Sequence, residues 1–511
     1  MKKNLIRLSI VAALTTSSFA SDINKEMLNQ IQALKAQIEA LEKKVAEQEV
    51  KQQTQTSAVT TVDEKRIEKI EKKLDTVSNT ATAAKIQSGN DNLKWDVDFR
   101  TQVDNIQYKH ADGSKSENNA LLTNRLWLGM AYKADDNSSF HGKLSYNKAF
   151  GDTANHSQSN TNPGYANFDW VTNENATDNT IKLKEAYWLY TQEKLFGSDI
   201  PWAASVGRRP STDGLPINIR NDQQANSPLS HVVDVEFDGF SIKFDTDTLT
   251  GLTGSWLKIC GGRGLTNAKP RFDMAGTAYA SDEDKNVDVD MLGFIAVPYD
   301  DGQYSVHMNY AKAWNLIGFD GQSLQTYQTT GTAPSFKDVG DIDFATILFK
   351  TEGIGNGISD YLDNTIAFAS FATSKTDPNS LGMLGSTDSE NGYSVWLGVN
   401  APCPLTPDIA KIGFEWNKGS KYWRSMTYGE DTYAGSKIAT RGQAWEVYRN
   451  QQLTKSLTWG VSYVFMDYDY TGSNSFFGAD GTPMTMSQAQ AAGQNPVAEA
   501  QDVRTYIRYK F

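Results

Sequence analysis

The sequence predicts an all-β chain: a sixteen-stranded antiparallel transmembrane β-barrel behind an N-terminal α-helical coiled coil. Three observations predict it. Apolar and polar residues alternate with period two through most of residues 93–511, the connections between these stretches are alternately long and short, and the chain ends on "DVRTYIRYKF", whose two faces differ in polarity.

The N-terminus reads as an export signal. Lys2, Lys3 and Arg7 precede an apolar stretch from Leu8 to Leu14, and Ser18-Phe19-Ala20 has the small-x-small form of a cleavage site, predicting a signal peptide over 1–20 and a mature start at Ser21. Removing those three basic groups moves the formal charge of −12 to −15, which makes nucleic acid an unsuitable partner. The two cysteines, Cys260 and Cys403, are too few for a disulfide framework. From Met27, apolar residues fall at Ile31, Leu34, Ile38, Leu41 and Val45, and the spacing resumes at Ile67, Ile70, Leu74 and Val77. That heptad seam predicts a periplasmic coiled coil over 21–80, joining subunits or touching peptidoglycan, with a linker over 81–92 and the barrel over 93–511.

Strands are expected near residues 93–108, 121–134, 139–150, 180–192, 202–209, 232–245, 249–259, 287–298, 303–316, 340–351, 361–374, 391–401, 410–417, 436–451, 455–470 and 498–511. The connections after odd-numbered strands are long, such as 151–179, 210–231 and 471–497, whereas those after even-numbered strands are short, such as "DTDT" at 245–248. A membrane meander with long loops outside and short turns inside has that rhythm, and a soluble sandwich has no reason for it.

Parity then sorts the faces. Val503, Thr505, Ile507, Tyr509 and Phe511 should meet outer-membrane lipid, and the alternate residues a wet interior. The expected pore lining is Asp96, Asp98, Arg100, Asp104, Arg125, Lys182, Lys184, Asp234, Glu236, Asp288, Asp290, His307, Asp341, Asp343, Arg504 and Arg508, with Lys411 and Glu415 also inward. Sixteen strands enclose an aqueous channel. The acidic excess near the outer mouth (Asp234, Glu236, Asp288, Asp290, Asp341 and Asp343) suggests a weak cation preference. Two places conflict with simple parity: "RGQAWEVYRN" at 441–450 sets Trp445 and Val447 on the face of Arg441, and the phase changes between Phe237 and Phe240; a bulge at each would restore it, and a register one residue off would instead turn every side chain there around.

The terminal alternation ending in Phe511 resembles the C-terminal targeting signal of bacterial outer-membrane proteins, which implies recognition by the barrel-assembly machinery. "SVGRRPSTDGLP", "FEWNKGSKYW" and "GSKIATRG" resemble a porin-like domain-of-unknown-function family of proteobacterial outer-membrane proteins over most of residues 93–511. The more distant resemblance to general sixteen-stranded porins implies that the loop after the fifth strand folds inward, making Arg209, Asp213, Arg220 and Asp222 candidate constriction residues, and that the subunits form trimers; the residues alone equally allow an outward surface loop whose arginines meet lipopolysaccharide phosphates.

Signatures of chemistry are poor. His110, His156 and His231 lack metal-site spacing, so neither a metal nor another cofactor is expected; "CGGRG" at 260–264 lacks the Lys-Ser/Thr and helix of a phosphate loop. His141 and His307 could serve a barrel enzyme only with a positioned partner. The expectation is therefore a non-enzymatic outer-membrane porin for ions and small hydrophilic solutes. The alternatives are a structural protein tethering to the cell wall or self-associating through its coil and, behind that, a barrel enzyme or a sheath for a haem-bearing partner.

Overall fold

The computed structural model describes residues 93–151, 181–265, 288–318, 330, 337–427, 432–473 and 481–511. The predicted signal peptide, coiled coil and linker lie outside these.

Among the described residues, sixteen strands close into one antiparallel barrel, each paired with its sequence neighbours. They are β1 (Leu93–His110), β2 (Lys115–Lys133), β3 (Ser138–Ala149), β4 (Lys182–Gln192), β5 (Trp202–Arg209), β6 (Phe237–Asp245), β7 (Trp256–Leu265), β8 (Val289–Asp300), β9 (Tyr304–Gly318), β10 (Lys337–Glu352), β11 (Ile366–Pro378), β12 (Asn391–Pro402), β13 (Ala410–Gly419), β14 (Gly442–Gln452), β15 (Leu457–Tyr468) and β16 (Val497–Lys510). Closure comes from β1 lying against β16, in register from Asp98↔Lys510 to His110↔Val497, so neither terminal strand leaves an open edge. The chain's C-terminus and the short turns share one end, the turn end; the long connections share the other, the loop end.

The outer face is apolar around the wall: Ile507, Phe240, Ile242, Phe294, Met308, Phe349, Phe371, Leu397 and Tyr463 are all uncovered by protein. An aqueous solvent would leave that area unrewarded, whereas hydrocarbon accommodates it.

Two connections depart from the expected pattern. The first loop, expected over 109–120, is a continuation of the hairpin: β1 runs to His110, β2 starts at Lys115, and Gly113 turns the corner with φ of 83°. The "DTDT" turn instead holds a short helix, α1 (Asp247–Thr250), so β7 begins at Trp256 and carries Cys260 inside it rather than at a loop entrance. Cys403 sits in the β12–β13 turn, and both thiols are free.

Neither of the two expected bulges exists. Phe237 simply points inward in an unbroken β5–β6 register. Arg441 precedes its strand, which begins at Gly442 with φ of 148°. A Cβ at Gly442 would stand 2.1 Å from the Asp467 carbonyl oxygen. Gly442→Ala is therefore expected to destabilise the barrel by at least about 1–3 kcal/mol, read as a lower temperature for loss of the compact form in heat-modifiability gels. A bulge does occur where β3 meets β4: Lys143 pairs with Glu185 but Leu144 with Leu183, so Lys184 and Glu185 are consecutive yet both buried on the inner side.

Candidate pore constriction

The interior is filled largely by protein. The connection 210–236 folds into the barrel as an inward loop. Its neck closes on itself, with Asp213 N–H donating to the Asp234 carboxylate at 2.8 Å, Asn226 N–H to the Asp213 carbonyl at 3.2 Å and Asn226 Nδ2 to the Thr212 carbonyl at 2.9 Å. Beyond the neck a single helical turn, α2 (Ile217–Arg220), sets Ile217 against Phe368, Trp396 and Ile438. The connection 420–441 enters as well. Its described part joins the inward loop through a parallel bridge: Asp234 N–H donates to the Met426 carbonyl at 2.6 Å and Met426 N–H to that of Val232 at 2.9 Å. Val232, Val233 and Val235 pack with Trp423 and Met426 against Ala311, Ala313, Ile342, Phe344 and Ala372 of the wall.

That apolar packing explains a correction. On β8 and β10 the inner face is Val289, Ile342 and Phe344, all buried against the loops. Asp290, Asp341 and Asp343 consequently lie on the outer face, where Arg263 holds Asp290 at 2.6 Å and Asp288 at 2.8 Å, and where Asp343 accepts the Tyr310 hydroxyl at 2.6 Å. Parity assumed that the polar face is the wet one, and here the drier side is inside.

Asp234 and Glu236, expected on the sixth strand, belong instead to the inward loop, because β6 begins only at Phe237. The remaining wall residues follow their parity. Asp98 accepts from Arg508 Nε at 2.7 Å and lies 3.6 Å from Arg125, while Asp104 accepts from Arg504 Nε at 2.6 Å. Glu236, at the end of the inward loop, pairs with Lys184 at 2.6 Å. Lys182 stands opposite Ser145. His307 bonds Ser305 at 2.9 Å and His141 bonds Ser139 at 2.9 Å; neither histidine meets a carboxylate among the described hydrogen bonds, so no oriented triad forms.

The loop candidates take different stations. Arg209 stays on the wall, with its guanidinium carbon 5.9 Å from the centre of the Tyr187 ring, and Asp213 receives Asn221 Nδ2 at 3.1 Å in the neck. Arg220 crosses to the far wall and meets Glu446 at 2.7 Å; the Asn221 and Asp222 carbonyls accept from Arg508 at 2.5 Å and Lys510 at 3.0 Å. Sequence reasoning missed the centre of this contact. Glu446 also receives Lys437 Nζ at 2.6 Å, and Lys437 pairs with Glu415 as well. The false parity conflict at Trp445 hid Glu446, although "GSKIATRG" already contained Lys437 and Arg441.

Below the loop apex, a vestibule of about 840 Å³ opens among Asp96, Lys143, Glu185, Gln223, Asn226 and Lys510 near the turn end. A smaller cavity of about 40 Å³, which shares Asn450 with the vestibule's lining, is bordered by Arg100, Arg125, Arg220, Arg504 and Arg508 together with Glu446 and Asp502.

His231, in the inward loop, is fully buried: Nδ1 lies 2.7 Å from Ser370 Oγ, Nε2 lies 2.9 Å from Ser394 Oγ, and the edges of Trp396 and Trp423 surround the ring. Burial pushes its pKa from 6.5 down to about 3. The docked loop thus holds a neutral imidazole, while an undocked one gains a proton below about pH 6.5. Docking should weaken by about 1.4 kcal/mol per pH unit as pH falls from there toward 3. Protease access to residues 210–236 is expected to rise on acidification, and His231→Gln to flatten that dependence relative to the unsubstituted chain.

The family model described as Protein of unknown function (DUF3373) matches residues 115–511. The chain belongs to that family. All three stretches that suggested a porin-like family of this kind fall inside the match; two of them meet in the interior, where Trp423 Nε1 donates to the Ile438 carbonyl at 2.8 Å, and Ile438 packs on Ile217, which directly follows the third. No curated protein matches the sequence. Solved structures that resemble the fold include Pseudomonas putida OprB (12% identity, 82% of this chain and 94% of that one, TM-score 0.46) and Salmonella typhi OmpF in complex with daunomycin (10%, 83% and 99%, 0.43). OmpT, an outer membrane protein of Vibrio cholerae, is a third (11%, 82% and 97%, 0.42).

Proposed function

We propose that the chain is an outer-membrane porin with a tight constriction, through which small hydrophilic solutes diffuse passively. The observation that supports this best is the polar vestibule of about 840 Å³, which leads from the turn end to a charged contact between the inward loop and the β14–β16 wall. A plug with only a structural task would have no need of so large a wet chamber beneath it. The expected cation preference loses its basis, since Asp290, Asp341 and Asp343 face outward, Asp288 is held by Arg263, and Glu236 and Asp234 are engaged within the packed interior.

Export through the signal at 1–20, recognition of the Phe511 tail by the assembly machinery, and self-association through the heptads between Met27 and Val77 complete the reading. The heptads also support tethering to the cell wall as a second role. Purified protein in planar bilayers tests the porin: stepwise conductance is expected, smaller than an unobstructed sixteen-stranded pore would give. Consistent silence under every voltage would leave the tether as the function.

A further inference from the structure

The wall of the vestibule contains a groove. Asp96, Gly129, Ala131, His141 and Tyr187 all border the chamber, and register sets them side by side: Asp96 of β1 opposes Gly129 of β2, Ala131 of β2 opposes His141 of β3, and His141 opposes Tyr187 of β4. Two small residues thus form a floor between larger flanks. On one flank the Asp96 carboxylate lies over Gly129, where a Cβ would stand 2.1 Å from Oδ1. On the other, the His141 ring stacks on that of Tyr187, with centroids 5.1 Å apart and planes inclined by 11°, which leaves its second face toward Ala131. β1 and β3 stand about 10 Å apart across β2, so the slot between their side chains is about one six-membered ring wide.

The groups around the slot narrow the chemistry of an occupant. Asp96 is exposed to the chamber and meets its charged neighbours, Lys143, Glu185, Asp98 and Lys510, only at a distance, without a hydrogen bond among the described residues. An ionised carboxylate solely accepts, and its two oxygens match two adjacent hydroxyl donors. Lysines on one side of it and carboxylates on the other disfavour a charged solute of either sign. Overhead, Gln223, Gln224 and Asn226 of the inward loop line the same chamber, and each carboxamide both donates and accepts. Gln223 Nε2 has no partner among the described residues, so turning it toward the chamber breaks no bond.

We infer that this groove is a binding site for neutral saccharides, and that these are the solutes admitted. Two neighbouring ring hydroxyls donate to the Asp96 oxygens, the C–H face of the sugar lies on the His141 imidazole, and the loop carboxamides serve the remaining hydroxyls. A chamber of about 840 Å³ is in the range that encloses a small organic ligand.

The binding half of this inference stands independently, and the transport half rests on the porin reading. Calorimetric titration of the full chain, in a detergent without a sugar headgroup, with glucose, maltose, choline and acetate tests the first. Saturable binding of glucose or maltose at or below about 10 mM is expected, with choline and acetate weaker. Asp96→Asn should weaken it by about tenfold or more, because one acceptor becomes a donor and the charge is lost. Ala131→Leu fills the floor and should abolish binding, while Lys375→Gln, on the outer face beside Asp343, should leave it unchanged. If the unsubstituted chain binds neither sugar, or binds choline or acetate more tightly, or if Asp96→Asn and Ala131→Leu both fold and bind as the parent does, the inference is wrong. Bilayer recordings separate the two readings: conductance that saturating maltose fails to reduce overturns saccharide passage and keeps the porin, while sugar binding without conductance overturns the porin and keeps the site.

Discussion

Replacing Glu446 with alanine is expected to release the inward loop from the far wall. The carboxylate is shared by Arg220 of the loop and Lys437 of the second inserted connection, and both cations are almost wholly covered. Its removal takes the shared carboxylate from two buried cations, of which Lys437 keeps Glu415, and losing one member of such a set costs about 3–5 kcal/mol. The barrel sheet itself does not depend on the contact, because the β13–β14–β15 ladder is continuous through residue 446. The variant should therefore assemble, resist heat as the parent does, and show larger single-channel steps with faster cleavage within 210–236. Unchanged conductance in a variant shown to have assembled would mean that Glu446 does not hold the constriction closed.

Arg441→Leu should have an effect of similar size on the other side of the interior. Its guanidinium reaches the carbonyls of Trp423 at 2.9 Å, Thr471 at 3.0 Å and Gly481 at 2.6 Å, tying two long connections together where water is excluded. Three buried carbonyls would each lose a charge-assisted bond, at about 1–3 kcal/mol apiece. The expected result is exposure of the 420–441 and 469–496 connections to protease at the loop end, together with noisy, flickering current. A quiet channel and intact connections would show that the Trp423 packing alone suffices.

Much of this architecture could be read from the residues. The sixteen strands follow from alternation and from the rhythm of the connections, and the outward Val503, Ile507 and Tyr509 follow from parity alone. What parity missed was the dryness of the interior. A strand such as "DIDFATILFK" offers two faces, and choosing the charged one as inward is sound only while the lumen is wet. Here Ile342 and Phe344 turn inward because Val232, Trp423 and their neighbours come to meet them, a contact between segments far apart in sequence that no local pattern encodes. The same limit hid Glu446. Its partners lie on two different inserted connections, and only the folded chain brings Arg220 within reach of it. Glu185 was missed for another reason: a bulge gives it the same orientation as Lys184, so a strict two-residue period placed Lys184 inward and Glu185 outward.

The seam where β1 meets β16 has a bearing on how the molecule comes into being. Arg504 with Asp104 and Arg508 with Asp98 link residues separated by 400 and 410 positions. Ordering so distant a pair is entropically slow, so the last-made strand must arrive before the first can be zipped. A nascent chain halted before Arg504 would lack these counter-charges to Asp98 and Asp104 and would leave the 98–104 half of β1 without its β16 partner, so the seam would stay open there.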